Sequence, residues 1–328
     1  MRNIDLSIVI PVYNEEESLE LLYNSIINNL QNTNLNFEII FIDDGSSDNS
    51  WDVIKTISEK KTNLSSIKFK KNYGKSDALD AGFKASNGTY VLTMDADLQD
   101  DPNEIYPLFK MINQDNYDLV SGWKKKRNDP LSKTIPSKFF NLITRIFSGI
   151  KLNDFNCGIK IYKKELVNSV NLYGEMHRYI PLIAKWNGYD KIGEKVVNHN
   201  KRKFGQTKFG MERYIRGFLD LISVSFVYKF RKRPMHFFGS LGVISFLIGL
   251  ISVGWIIYEK LSKISNNIPL DQIRPVTDQP LFYIALVTII VGVQLFLVGF
   301  ISELIISINS DKNGYIIEDS DINDEFNP

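Results

Sequence analysis

The stretch Asp95-Ala96-Asp97-Leu98-Gln99 is the sharpest chemical feature of this chain. It follows directly on the apolar run 90–94, which reads as a buried strand, so three oxygen-bearing side chains at i, i+2 and i+4 can converge at one strand end. Hard divalent cations take such ligands: few oxygens from the protein, the other positions left to phosphates and water. A cation held there neutralises charge on a departing diphosphate and orients it. Two further clusters, Pro11-Val12-Tyr13-Asn14-Glu15 and Ile42-Asp43-Asp44-Gly45-Ser46-Ser47-Asp48, end other apolar runs. A carboxylate in such a place can accept a nucleobase N–H or ribose hydroxyls, and Tyr13 offers a stacking face. Helix capping accounts for Ser47 and Asp48; the pair Asp43-Asp44 exceeds what a turn needs. Neither GxGxxG nor GxxxxGK[ST] occurs, so dinucleotide and Walker-type phosphate cradles are not indicated.

These clusters need a scaffold. Residues 1–200 alternate apolar runs (6–12, 37–42, 67–69, 90–94, 119–121) with helical patterns (15–30, 50–61, 75–86, 102–113). In the first helix Leu19, Leu22, Tyr23, Ile26, Ile27 and Leu30 keep the spacing of one apolar face. Alternation of this kind predicts an α/β, Rossmann-like, mainly parallel sheet with helices on both faces, binding ligands at the carboxyl ends of its strands.

The last third differs. Residues 237–258 hold 22 residues without a charge, roughly 33 Å as a helix, and 280–302 another 23. Both are expected to cross a membrane, with an outward loop over 259–279 and an acidic tail over 309–328 returning inside. Lys229, Arg231, Lys232 and Arg233 place the start of the first span in the cytoplasm. The run 6–12 is too short for a signal-peptide core, which predicts that the catalytic part, 1–200, stays on the cytoplasmic face of the inner membrane. Two amphipathic stretches are expected on the membrane surface. One is 138–150, with Phe139, Phe140, Ile143, Phe147 and Ile150 to one side. The other is the basic juxtamembrane segment 201–233, rich in Lys and Arg and interleaved with Tyr214, Phe218, Leu219 and Phe226.

Composition excludes other classes. The 328 residues carry 39 Lys+Arg against 38 Asp+Glu, so a net charge of +1 gives no support for nucleic-acid binding. A single Cys157 excludes an internal disulfide, and three scattered histidines exclude a Cys/His zinc site.

In order and spacing, "PVYNEEESL", "FIDDGSSDNS", "KNYGKSDALDAGFKAS" and "MDADLQDDP" resemble family 2 glycosyltransferases of the GT-A fold. "VSGWKKKRND", "DFNCGIKIY" and "NKRKFGQTKFG" are similar to the polyprenyl-phosphate branch, with dolichol-phosphate mannose synthases and bacterial undecaprenyl-phosphate glycosyltransferases. The resemblance implies nucleotide contacts from Pro11, Tyr13, Glu15, Ile42 and Asp44. It puts Asp95 and Ala96 on the ribose and diphosphate, and Asp97 and Gln99 on Mg²⁺ or Mn²⁺. Arg202 and Lys208 match R-x-x-G-x-[ST]-K, where they meet phosphate oxygens. Lys124 stands where many relatives carry Arg in "GSR", and Trp123 where they carry a small residue. Lysine keeps the charge and loses the two-pronged grip, so Lys124 or Arg127 would share that phosphate role. Relatives with such a tail suggest a homo-oligomer, a tetramer.

The implied reaction is an inverting transfer of a hexose from a nucleotide sugar, UDP-glucose first, to undecaprenyl or another polyprenyl phosphate, for cell-envelope glycosylation. A phosphate monoester with a second pKa of about 6 is mostly dianionic at neutral pH, so no general base is required. Asp154 is the candidate should one act, against a structural hydrogen-bonding role. Alternatives are a dolichol-type GDP-mannose transferase and a UDP-aminoarabinose or UDP-N-acetylhexosamine transferase. Processive polysaccharide synthases carry Q-x-x-R-W, which is absent here. A catalytically silent scaffold or nucleotide-sugar sensor would be marked by an eroded carboxylate motif, yet Asp95, Asp97 and Gln99 are all present.

Overall fold

β1 (Leu6–Val12) is apolar at six of its seven positions and buried at all but Pro11, because both faces of the sheet are covered. The computed structural model describes residues 4–59, 63–125, 137, 141–146, 148–200, 223, 226, 230, 233–269 and 272–308. The chain forms two compact units, Met1–Val224 and Ser225–Pro328.

In the first unit seven strands make one sheet in the order β3-β2-β1-β4-β6-β5-β7. β2 (Phe37–Asp43) and β4 (Tyr90–Thr93) flank β1 in parallel, and β3 (Leu64–Lys68) lies parallel outside β2. Leu6, Ile8, Ile10 and Val12 enter one core with Leu19, Leu22, Ile26 and Leu30 of α1 (Glu16–Leu30) and Ile54 of α2 (Ser50–Glu59). Val9 points the other way: a side chain on Gly82 of α3 (Lys75–Ala85) would collide with Val9 and Ile42, so α3 lies tight on the opposite face. Each such apolar side chain, fully buried, contributes about 1.5–3 kcal/mol.

The expected strands are present within a few residues, and two more join them. β6 (Lys160–Lys163) runs antiparallel between β4 and β5 (Leu119–Trp123), and β7 (Ile192–Val196) pairs parallel with β5. Their sequences, KIYK and IGEKV, carry too many charges to read as apolar runs. The expected helix 102–113 divides into a 3-10 turn, Pro102–Glu104, and α4 (Ile105–Gln114), as proline opens the helix. Short helices α5 (Lys164–Ser169) and α6 (Ile180–Trp186) also belong to this unit.

The stretch 138–150 is described only in part. Residues 141–146 and 148 are helical, but Asn141, Thr144 and Ser148 are the buried ones and Ile150 is buried too, while Leu142 and Ile146 are exposed. Asn141 faces inward because its side-chain oxygen accepts the Phe155 N–H at 3.3 Å. Phe139, Phe140 and Phe147 lie outside the described residues, as do most of 201–232 and the tail.

The second unit is a pair of helices long and apolar enough to cross a membrane, α7 (Pro234–Ser265) and α8 (Pro280–Ile308). α7 runs seven residues past the expected end of its span at 258, where Glu259 and Lys263 form an i,i+4 ion pair of 2.6 Å that supports the extra turns. Small residues let the two backbones approach: a Cβ on Gly242 would lie 2.7 Å from the Gly292 carbonyl oxygen. Ser245 donates to the Thr288 carbonyl at 2.8 Å, and Glu303 of α8 accepts the Met235 N–H at the start of α7 at 3.2 Å.

Candidate active site

Neighbouring parallel strands end together, so the β2-β1-β4 order brings the three sequence clusters to one edge of the sheet. Pro11 is in register with Ile42, and beyond them the two loops interlock. Asn14 Oδ1 accepts the Ser47 N–H at 2.7 Å, the Asn14 N–H donates to Ser46 Oγ at 2.9 Å, and the Glu15 N–H donates to Ser50 Oγ at 2.9 Å. Asp48 caps two helices at once, accepting from the N–H groups of Glu16 and Ser50 at 3.2 and 3.0 Å. Tyr13 projects beyond this lattice, 37% exposed.

Asp43 and Asp44 both have backbone work. Asp43 Oδ1 accepts from Ser46, while the Asp44 oxygens accept the Tyr73 and Gly74 N–H groups at 2.7 and 2.9 Å. Burial pushes the Asp44 carboxyl above its usual range, against those two hydrogen bonds and with Asp77 and Asp43 adding to the rise. Asp44 therefore fixes the loop leading into α3, on the same edge as Tyr13.

At the end of β4 the chain turns sharply, with Leu98 in the left-handed region at φ 60°. Strain of this kind in a non-glycine residue clusters at functional sites. Ala96 is buried; Asp95, Asp97 and Gln99 are half-buried, and Asp97 Oδ1 accepts the Gln99 N–H at 3.1 Å. Asp95 is in an ion pair with Lys75, at the start of α3. Burial alone would raise the Asp95 pKa, but Lys75, Lys124 and Lys160 outweigh it and hold the carboxyl at about 2. One carboxylate and one amide oxygen, from Asp97 and Gln99, form a donor set that suits a hard cation completing its shell with diphosphate and water. Among the described residues no cluster of three His, Cys, Asp or Glu side chains could hold an ion by itself.

Behind this turn lies a layer the motifs did not reveal. Asp100 is buried and pairs with Lys124 at 2.7 Å. Lys160 is 4% exposed, its ammonium directed at the Cys157 carbonyl, and burial draws its pKa down. Gly158 closes the space: a Cβ there would lie 2.5 Å from Asp95 Oδ2 and 2.7 Å from Asp100 Oδ2. Asp154 is 1% exposed on the approach to β6; its N–H donates to Glu194 at 3.0 Å and its Oδ1 accepts from Asn156 at 3.1 Å. Lys75 and Gly158 sit inside recognisable stretches, yet only the placement of α3 and the antiparallel return of β6 bring them to Asp95. Lys124 is 13% exposed at its side chain and ion-paired with Asp100. Arg127, Arg202 and Lys208 lie outside the described residues.

This is the architecture of GT-A glycosyltransferases. It is shared with mannosyl-3-phosphoglycerate synthase from Rubrobacter xylanophilus (TM-score 0.57, 15% identity, covering 70% of this chain and 75% of that one). It is shared too with glucosyl-3-phosphoglycerate synthase from Mycobacterium tuberculosis, crystallised with Mn²⁺, UDP and glucosyl-3-phosphoglycerate (TM-score 0.51, 17% identity, 67% and 80% covered).

Residues 7–170 match glycosyl transferase family 2, and the chain belongs to that family. The dodecaprenyl-phosphate galacturonate synthase of Rhizobium johnstonii is 32% identical over 93% of this chain and 88% of its own length. The undecaprenyl-phosphate 4-deoxy-4-formamido-L-arabinose transferase of Shewanella sediminis is 34% identical over 68% and 67%.

Proposed function

We propose that this glycosyltransferase moves a sugar from a UDP-sugar to the phosphate of a polyprenyl lipid, with inversion at the anomeric carbon, on the cytoplasmic face of the inner membrane. The observation that carries the reading is the match to a polyprenyl-phosphate sugar transferase along 93% of the chain, into the apolar helices that a lipid acceptor calls for. The carboxylate turn at the end of β4 supplies the matching donor chemistry.

In this reading Tyr13 stacks on the base, Asp44 receives a base N–H beside the loop it already holds, and Asp95 and Ala96 line the ribose and diphosphate. Asp97 and Gln99 would hold Mg²⁺ or Mn²⁺, as the Mn²⁺–UDP complex of the M. tuberculosis enzyme suggests. When bound, that ion supplies charge neutralisation for the departing diphosphate. The rest of the work is positioning: a dianionic acceptor phosphate attacks in line, and the site aligns two groups that repel each other. Arg202 and Lys208 are the proposed cations for those phosphates. Asp154, buried and occupied with Asn156, is assigned a structural role.

Glucose is the sugar expected first; galacturonate and 4-deoxy-4-formamido-L-arabinose, named in the two relatives, are its competitors. Incubating membranes that contain the protein with a panel of these UDP-sugars and undecaprenyl phosphate, followed by mass analysis of the lipid, tests the reading. A lipid heavier by one sugar residue identifies the donor. A panel without any lipid product, beside hydrolysis or transfer to a water-soluble acceptor, would sink the lipid assignment.

A further inference from the structure

We propose that Lys124 is a positioning residue: paired with Asp100 beneath the Asp95–Gln99 turn, it holds that turn in its working geometry and does not grip substrate phosphate. The assignment rests on the proposed transferase reading, which gives the turn its task.

Lys124 leaves the end of β5 and places its ammonium 2.7 Å from Asp100 Oδ1, with the two side chains 13% and 0% exposed. Asp100 reaches back into the turn, its Oδ2 lying 3.4 Å from the Asp95 nitrogen. Its backbone forms an isolated antiparallel bridge with His199, and the Asn200 N–H donates to the Gln99 carbonyl at 2.9 Å. The turn is thus tied at both ends, and the tie at its base is this ion pair. Burial alone would favour a neutral amine at Lys124, yet Asp100 and Asp95 keep it protonated. A cation that grips a substrate phosphate must turn its donors toward the ligand. Lys124 instead meets Asp100 in a layer beside Gly158, where an added Cβ would lie 2.5 Å from Asp95 Oδ2 and 2.7 Å from Asp100 Oδ2.

Removing one partner of a buried pair leaves an uncompensated charge, whereas removing both can be nearly neutral. That asymmetry separates the two roles. Full-length protein in detergent, as wild type, Lys124→Met, Asp100→Asn and the double variant, is titrated with Mn²⁺ and UDP. The bound Mn²⁺ is followed by electron paramagnetic resonance and UDP affinity by calorimetry, with melting temperatures alongside. Each single change is expected to weaken Mn²⁺–UDP binding at least about tenfold, and the double variant to recover most of that loss. A double variant as weak as Lys124→Met, beside an Asp100→Asn protein that binds like wild type, would overturn the assignment and make Lys124 a phosphate ligand. Should Lys124→Met fail to fold, Asp100→Asn alone decides, because it keeps the ammonium and breaks only the tie. Wild type that takes up neither Mn²⁺ nor UDP would instead overturn the nucleotide-sugar reading itself, and this assignment with it.

Discussion

Replacing Gly158 by alanine would put a methyl carbon 2.5 Å from Asp95 Oδ2, 2.7 Å from Asp95 Cγ and 2.7 Å from Asp100 Oδ2. Carbon–oxygen contacts start at about 3.3 Å, so each carboxylate would have to retreat by roughly 0.6–0.8 Å. Neither is at liberty to do so, because Asp95 is bound to Lys75 and Asp100 to Lys124. The backbone cannot easily give way either, since Thr93 Oγ1 donates to the Gly158 carbonyl at 2.9 Å. Overpacking of this kind costs about 1–3 kcal/mol of stability. A shift approaching 1 Å in a positioning group costs on the order of 10²-fold in rate. A sugar-to-lipid assay on the purified variant should therefore show turnover down about a hundredfold, with a lowered melting temperature. Gly254→Ala is the control, having nothing within 4 Å of its added carbon. A Gly158→Ala protein with wild-type turnover and unchanged Mn²⁺–UDP affinity would refute the reasoning.

Other outcomes follow from the same geometry. Asp97→Ala should abolish the Mn²⁺ resonance signal of the UDP complex and lower transfer at least about a hundredfold, and undiminished transfer at saturating metal would remove the ion from the proposal. Glu38 is buried and accepts from Ser7 Oγ at 2.6 Å and the Asn87 N–H at 2.7 Å, so Glu38→Ala should cost about 1–3 kcal/mol in denaturant unfolding of the first unit. Burial, opposed by Lys124 and Lys160 and aided by Asp100 and Asp154, pushes the Cys157 thiol up to about 12. A thiol reagent at pH 8 should then label the native chain only after denaturation. The folded thiol keeps its proton where an unfolded one loses it above about pH 8.5, so this group's contribution to stability falls as pH rises from there toward 12. Glu303→Ala should loosen the helix hairpin by leaving the Met235 N–H without its acceptor, seen as faster amide exchange at the start of α7.

The parallel half of the sheet was legible because burial on both faces writes itself into β1 and β2 as unbroken apolar runs. α1 was equally plain, its buried Leu19, Leu22, Tyr23, Ile26 and Leu30 falling on the expected stripe. β6 and β7 were not legible, since Lys160 and Lys163 mask a strand whose burial depends on long-range pairing. Long-range pairing likewise explains what the motif reading of the edge left out. Asp95, Asp97 and Gln99 announce themselves by type and spacing, whereas Asp100, Lys75 and Gly158 matter through neighbours 20 to 63 positions away. Lys124 shows the limit from the other side: its charge was apparent in sequence, its confinement only in the fold. The helix pair reversed one detail, as α7 continues to Ser265 where the absence of charges ends at Tyr258. Helix propensity and the Glu259–Lys263 pair carry it on, and neither depends on hydrophobicity.

The reversal of β6 divides the sheet into two territories with a common border. On one side, β3-β2-β1-β4 are parallel, and their loops interlock among themselves. On the other, β6, β5 and β7 bring Asp154, Gly158 and Lys124 to that border from a different stretch of the chain. The border is held by the β4–β6 ladder, by Lys164 Nζ donating to the Phe83 and Ser86 carbonyls at 2.8 and 2.7 Å, by the His177 N–H donating to Ser76 Oγ at 3.0 Å, and by Gly158 and the Asp100–Lys124 pair, so a change in the second territory reaches the first through those contacts.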